Sequence, residues 1–183
     1  MDQNIQKYKQ AVKNLADSES DFIFRNSSDI HANIVISNML RVSNSEFRIY
    51  DDNLSGDIAD KDADFYLNLE KFLASGRILK IVVDEVKDKT NRIYMFLKEK
   101  KSMYPKNIFL SKSNESFKLN MTKIYEKPIN CAIGDSKSFR VEFLTEAKTR
   151  KALCSFNSPS VSSVLIKTFD KSFALCEEIN LNL

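Results

Sequence analysis

The sequence predicts an α/β domain, a mixed β-sheet flanked by helices. Three observations carry this. From residue 22 to residue 110, stretches of strand and helix periodicity alternate. From 129 to 156 the pattern changes to three short apolar strands with turns between them. A proline-led amphipathic helix then closes the chain. The alternating part implies right-handed crossovers and a largely parallel sheet; the later part implies antiparallel hairpins.

Taken in order, residues 3–16 read as a helix with Ile5, Tyr8, Val12 and Leu15 on one stripe. Phe22-Ile23-Phe24 reads as a short strand. Asn26-Ser27-Ser28-Asp29 is a run of four capping residues, and Ile30, Ile34, Val35, Met39 and Val42 follow at helical spacing. Phe47, Ile49 and Tyr50 form a strand that Asp51-Asp52-Asn53 and Ser55-Gly56 close. Residues 63–74 read as a helix through Phe65, Leu69, Phe72 and Leu73, ended by Gly76. The run from Ile78 to Val83 is a buried strand. Residues 91–101 read as a helix and Ile108 to Leu110 as a strand; residues 112–127 show no decisive pattern. Ile129 to Ile133 and Phe139 to Phe143 form a hairpin around Gly134-Asp135-Ser136-Lys137, and Ala152 to Phe156 is a third strand. The final helix opens at Ser158-Pro159-Ser160 and continues through Val161, Val164, Leu165, Phe169 and Phe173.

The chain has 183 residues, enough for one domain with a proper core. With 43% hydrophobic and 29% charged residues it is globular rather than disordered. A net charge of +3 does not by itself imply nucleic acid. Cys131, Cys154 and Cys176 lie far apart in apolar contexts, which reads as buried free thiols in a reducing compartment. No run of about 18 apolar residues and no signal-peptide core are present, so the expectation is a cytoplasmic protein without a membrane span. Three glycines and no G-x-G-x-x-G or G-K-[ST] exclude a glycine-rich phosphate loop.

The segment KPINCAIGD places Pro128, Asn130 and Asp135 at the first, third and eighth positions of an eight-residue frame. A strand ending in Gly134-Asp135, a returning strand Phe139-Arg140-Val141-Glu142-Phe143, then Cys154-Ser155-Phe156-Asn157-Ser158-Pro159 and a long helix resemble the end of a phospholipase D-like domain. Ser27-Ser28-Asp29-Ile30-His31-Ala32, Phe47-Arg48-Ile49-Tyr50 and Asn53-Leu54-Ser55-Gly56 resemble the opening of small bacterial domains of that superfamily, which often lie beside anti-phage defence genes. The resemblance spans roughly residues 20–176. It implies an N-terminal helix over 1–20, a single phospholipase D-like domain over 21–183, and a homodimer or a place in a larger complex.

The superfamily's catalytic strand reads H-x-K-x-x-x-x-D. Its His attacks phosphorus, a second His from the other half or the other subunit protonates the leaving group, Lys and Asn stabilise the phosphoryl oxygens, and Asp tunes the His. Here Pro128 stands at the His position and Asn130 at the Lys position; Asp135 alone is kept, and it suits a turn without catalysis. Asn157 stands at the family's Asn position, or caps the last helix. The resemblance therefore implies a non-catalytic binding or scaffolding subunit, with Asn130 as a binding residue and no cofactor.

Two other readings stay open. His31, the only histidine, lies in a helical first turn, where amides and dipole favour anions, and a symmetric dimer would bring two copies together as a nuclease or phosphodiesterase site. The plainer reading is a packed or solvated histidine. Lys98, Lys100 and Lys101, beside Tyr104 and Lys106, offer phosphate contacts for a non-cleaving nucleic-acid-binding module, or form a solvated helix end. Asp51, Asp52, Asp57, Asp60, Asp62 and Asp64 lack the Gly and terminal Glu of an EF-hand loop and read as a solvated loop, so no metal site is assigned.

Overall fold

A computed structural model describes residues 2–144 and 151–181. The helices are α1 (Gln3–Asp17), α2 (Asp29–Val42), α3 (Asp64–Ala74), α4 (Arg92–Met103), α5 (Glu115–Tyr125) and α6 (Pro159–Phe173). The strands are β1 (Phe24–Asn26), β2 (Glu46–Asn53), β3 (Ile78–Glu85), β4 (Ile108–Lys112), β5 (Ile129–Gly134), β6 (Ser138–Phe143), β7 (Ala152–Ser155) and β8 (Glu177–Glu178). They form one mixed sheet in the order β1-β7-β6-β5-β2-β3-β4-β8. Only β2, β3 and β4 run parallel; β5 joins β2 antiparallel, and the remaining pairs are antiparallel. The parallel part is thus smaller than the helix–strand alternation implied.

The pleat sorts alternate residues onto two faces. Phe47 and Ile49 of β2, Leu79 and Ile81 of β3 and Ala132 of β5 face α1 to α4, meeting Val12, Val35, Met39, Leu69, Phe72 and Leu97. Cys131, Ile133, Phe139 and Val141 face the other way, against Phe117 and Met121 of α5 and Leu165 and Phe169 of α6. Side-chain caps start several helices: Ser28 accepts from the His31 amide at 3.4 Å, Asn91 from Tyr94 at 2.9 Å and Asn114 from Phe117 at 2.8 Å.

Some expected elements shift. Phe22 and Ile23 are exposed, and the strand starts at Phe24, the first residue paired with β7. β2 continues through Asp51 and Asp52 to Asn53, so those acids end a strand rather than forming a turn. The 112–127 stretch is a helix whose buried residues are only Phe117 and Met121, a stripe too thin for periodicity to resolve. Ser158, rather than Asn157, occupies the N-cap position of the last helix, without a side-chain capping bond among the described residues. Among the described residues no helix is long and apolar enough to cross a membrane.

All three cysteines are free; Cys131 and Cys154 are buried, whereas Cys176 is half-buried. Burial pushes both buried thiols up to about 12. In the native protein at pH 8, a thiol-reactive aromatic disulfide should therefore label Cys176 at most, with the other two reacting only in denaturant. Fast labelling of all three would contradict the packing.

A candidate ligand-binding crevice

The crevice lies where β2 and β3 end and the antiparallel β5 begins. Asn130 of β5 pairs with Glu142 of β6, Glu142 with Ala152 of β7, and Ala152 with Asn26 of β1. On the other side, the Asn130 amide donates to Asp51 at 2.9 Å and to Asp52 at 3.1 Å. A polar row, Asp51–Asn130–Glu142–Asn26, spans five strands on the α2 side of the sheet, interrupted by Ala152 of β7. One pleat inward, Arg140 donates through Nη2 to Glu142 at 3.0 Å and through Nε to Asn26 Oδ1 at 3.3 Å. The Arg140 and Glu142 side chains are 3% and 4% exposed, so this ion pair is dehydrated on both sides.

The row borders a cavity of about 300 Å³. Ile36 and Leu40 of α2, Phe65 and Leu69 of α3, and Leu79 and Ile81 of β3 line its apolar part; Asp51, Asp52, Asp57, Asn130, Arg140 and Glu142 line its polar part. The 53–59 loop closes one side and is pinned by Asn33, whose side-chain amide donates to the Ile58 carbonyl at 2.8 Å and the Ala59 carbonyl at 3.2 Å. Asn130 is 4% exposed, and its carbonyl oxygen has no hydrogen-bond partner among the described residues. A buried amide oxygen left unpaired is costly in a folded protein and marks a place able to accept a donor.

Of the residues singled out from sequence as catalytic or binding candidates, Asn130 alone stands in this row; Asp51, read from sequence as part of a solvated acidic loop, joins it there. Pro128 lies just before it, its carbonyl accepting from the Leu144 amide at 3.1 Å. Asp135 sits five residues along the strand, roughly 17 Å away at the usual rise per residue. Asn157 is at that same far end, because the next residue, Ser158, donates from its amide to the Lys137 carbonyl at 2.6 Å. The added strand β7 carries Asn157 away from Asn130. Asn130, Asp135 and Asn157 therefore do not converge.

His31 is half-buried and stacked on Tyr8 of α1, ring centroids 4.1 Å apart and tilted by 35°. The Tyr8 hydroxyl is buried without a partner among the described residues, and burial raises its pKa against the pull of Arg140. The acidic loop is occupied by local contacts: Asp60 accepts from the Tyr66 hydroxyl at 2.6 Å, and Lys9 pairs with Asp62 at 2.9 Å and Asp64 at 2.5 Å. Among the described residues no three His, Cys, Asp or Glu side chains converge as metal ligands would.

The lysine stretch on α4 is engaged internally. Lys100 is buried against Glu70 at 2.5 Å and Glu99 at 3.1 Å, and Lys101 donates to the Pro105 and Ile108 carbonyls at 2.8 and 2.6 Å. Lys98 is half-buried. Lys100→Ala should cost about 1 kcal/mol of stability, mostly lost stem packing because both glutamates are well exposed. Urea unfolding measures it; an unchanged midpoint would mean the contacts contribute nothing.

Sequence reading missed Arg140, Glu142 and Asn26 as a unit. The available signal was a pair of opposite charges two apart in the otherwise apolar Phe139-Arg140-Val141-Glu142-Phe143, which places both on one face of one strand.

No protein-family model matches the sequence. No curated protein matches it either. Solved structures do match the fold. One is TrmBL2, an archaeal chromatin protein described as showing a novel mode of DNA binding, at TM-score 0.63 and 13% identity over 96% of this chain. This chain spans only 64% of that protein. Another is Nuc from Salmonella typhimurium, a phospholipase D family member, at TM-score 0.57 and 13% identity, covering 87% of this chain and 99% of Nuc. NucT from Helicobacter pylori matches at TM-score 0.56 and 11% identity, covering 86% of this chain and all of NucT.

Proposed function

We propose that this phospholipase D-like fold serves as a non-catalytic binding or scaffolding subunit. The observation that supports the reading most is the polar row. Where the superfamily's catalytic strand would present a nucleophile and a cation, the chain has Pro128 and an Asn130 clamped by Asp51 and Asp52. The nearby guanidinium, Arg140, is committed to Glu142. Among the described residues, four carboxylates and one cation line the polar part of the cavity, a lining unlike one built to hold a phosphodiester.

The test is hydrolysis of bis(4-nitrophenyl) phosphate and of single- and double-stranded DNA by the purified protein, beside His31→Ala. The expected result is no turnover above buffer for either. Turnover that the His31→Ala change abolishes would establish the alternative, a nuclease working through His31 across a dimer. We further propose that the subunit assembles as a homodimer or within a larger complex, in a bacterial anti-phage defence system. Co-purification of the tagged protein, and phage plating efficiency on a strain deleted for the gene, test those two parts.

Nucleic-acid binding is the second reading, favoured by the fold shared with a DNA-binding chromatin protein over nearly the whole of this chain. It predicts salt-dependent retention of DNA on a surface away from the acidic crevice. Absence of any band shift at low salt would remove it.

A further inference from the structure

One edge of the sheet carries a segment whose sequence is its own complement. β1 is the end strand there, joined only to β7 among the described residues. An end strand turns every second N–H and C=O away from its neighbour, and that row of groups is a template for pairing with another strand. Asp21-Phe22-Ile23-Phe24-Arg25 runs along this edge. Phe24 and Arg25 belong to β1, and residues 21–23 lead into it without regular structure. Phe24 is half-buried and stacks on Phe156, ring centroids 6.0 Å apart, which ties the strand to the core. Phe22 and Ile23 are 62% and 52% exposed. They are the only two sequence neighbours among the described residues' exposed large apolar side chains, and both types favour strands. Asp21 and Arg25 are exposed on either side of them.

The order of these five residues selects the occupant. Laid antiparallel on a second copy about a two-fold axis through Ile23, the segment sets Ile23 against Ile23, Phe22 against Phe24 and Asp21 against Arg25. Every cross-strand pair is then apolar on apolar or acid on base. A register shifted by one residue either way sets a charge against Phe22 or Phe24 and breaks both ion pairs. The opposite edge of the sheet, β8, is Glu177-Glu178 and would set acids against acids in such a pairing. We propose that the β1 edge is a homodimer interface, two copies of residues 21–25 pairing antiparallel and joining the two eight-stranded sheets into one. This rests on the homodimer reading above and gives it a surface. The contact is isologous and closes at two copies, because each chain has one such edge. It is small for a specific interface, and residues 21–23 must be ordered to form it, so the Kd should be roughly 10–100 µM.

Sedimentation velocity of the full chain, at concentrations that bracket this Kd, tests it. The expected result is a monomer–dimer equilibrium that goes no further than the dimer. Asp21→Arg alone, or Arg25→Asp alone, sets like charges opposite each other twice, and each should weaken the dimer at least about fivefold. The variant carrying both changes only reverses the pairs and should return to within about threefold of the parent. An equimolar mixture of the two single variants should associate more tightly than either alone. Ile23→Lys, which meets its own copy on the axis, should leave a monomer. All three positions are exposed, so urea unfolding of every variant should match the parent. Weakening in the single variants without recovery in the double or the mixture would overturn the interface. A dimer that none of the changes weakens would also overturn it, while keeping the homodimer reading on another surface. A monomer at every concentration would overturn both, and co-purification would then decide for the larger complex.

Discussion

Replacing Glu142 with leucine should lower stability by about 3–5 kcal/mol, the cost of leaving a buried charge without its partner. Arg140 is 2% exposed, and beyond Glu142 its described contact is the Asn26 oxygen at 3.3 Å. A guanidinium there is poorly hydrated and does not lose its proton. For a chain of this size the loss corresponds to a fall in Tm of roughly 6–20 °C. The double change Arg140→Met with Glu142→Leu should recover most of it, because the pair's mutual attraction is largely offset by the desolvation of both ions. Urea unfolding of the single and double variants decides the matter. A single variant within 1 kcal/mol of the parent would show that the pair is hydrated in solution. A double variant as damaged as the single would show that Arg140 stabilises the sheet through something other than Glu142.

That pair also marks where sequence reading stops. The strand Phe139 to Phe143 and its hairpin with Ile129 to Ile133 were legible, because alternation and the Gly134-Asp135 turn both identify them. What alternation cannot reveal is which side of a strand is covered. Alternation sets Arg140 and Glu142 on one face of the strand without saying what lies over it; β7 and β1 extend the sheet beyond β6 and α1 and α2 pack across it, burying both residues. Burial here is set by β7, just downstream, and by α1, β1 and α2 at the far end of the chain. Asp51 and Asp52 were misread for a related reason: consecutive acids followed by Asn resemble a turn, but backbone pairing with β3 reaches Asn53 and holds them on the sheet. Asn130 was found through its place in the eight-residue frame. Its partners were not, since residues 78 and 79 positions away meet it only through the topology. The short edge strand β8, two residues long, offers no periodicity to detect.

The far end of β5 carries the second large effect. Asp135 lies in left-handed backbone, φ 50°, a conformation aspartate tolerates better than most residues. Its carboxylate accepts from the amides of Asn44 at 2.6 Å, Ser45 at 2.9 Å and Glu46 at 3.1 Å, and from the Ser45 hydroxyl at 2.8 Å. One side chain thus fastens the β5–β6 turn to the loop between α2 and β2, roughly 90 residues earlier. Gly134 permits the approach, since a Cβ there would collide with the Ser43 and Ser138 hydroxyls. Burial alone would raise the Asp135 pKa, but the Asn44, Ser45 and Glu46 donors outweigh it and hold the carboxyl below its ordinary value. A depressed pKa means stability that is present above the unfolded value, near 3.9, and is lost as pH falls through the folded one. Asp135→Asn keeps the shape and the turn preference but replaces one accepting oxygen with a donor that faces other donors. It should cost about 2–3 kcal/mol at pH 7, the low end for several charge-assisted bonds at a half-exposed site. The gap from the parent should narrow steadily below pH 4, where the parent carboxyl itself takes up a proton. A gap that stays constant from pH 7 to pH 3 would mean that the turn geometry, rather than the charge, makes the connection.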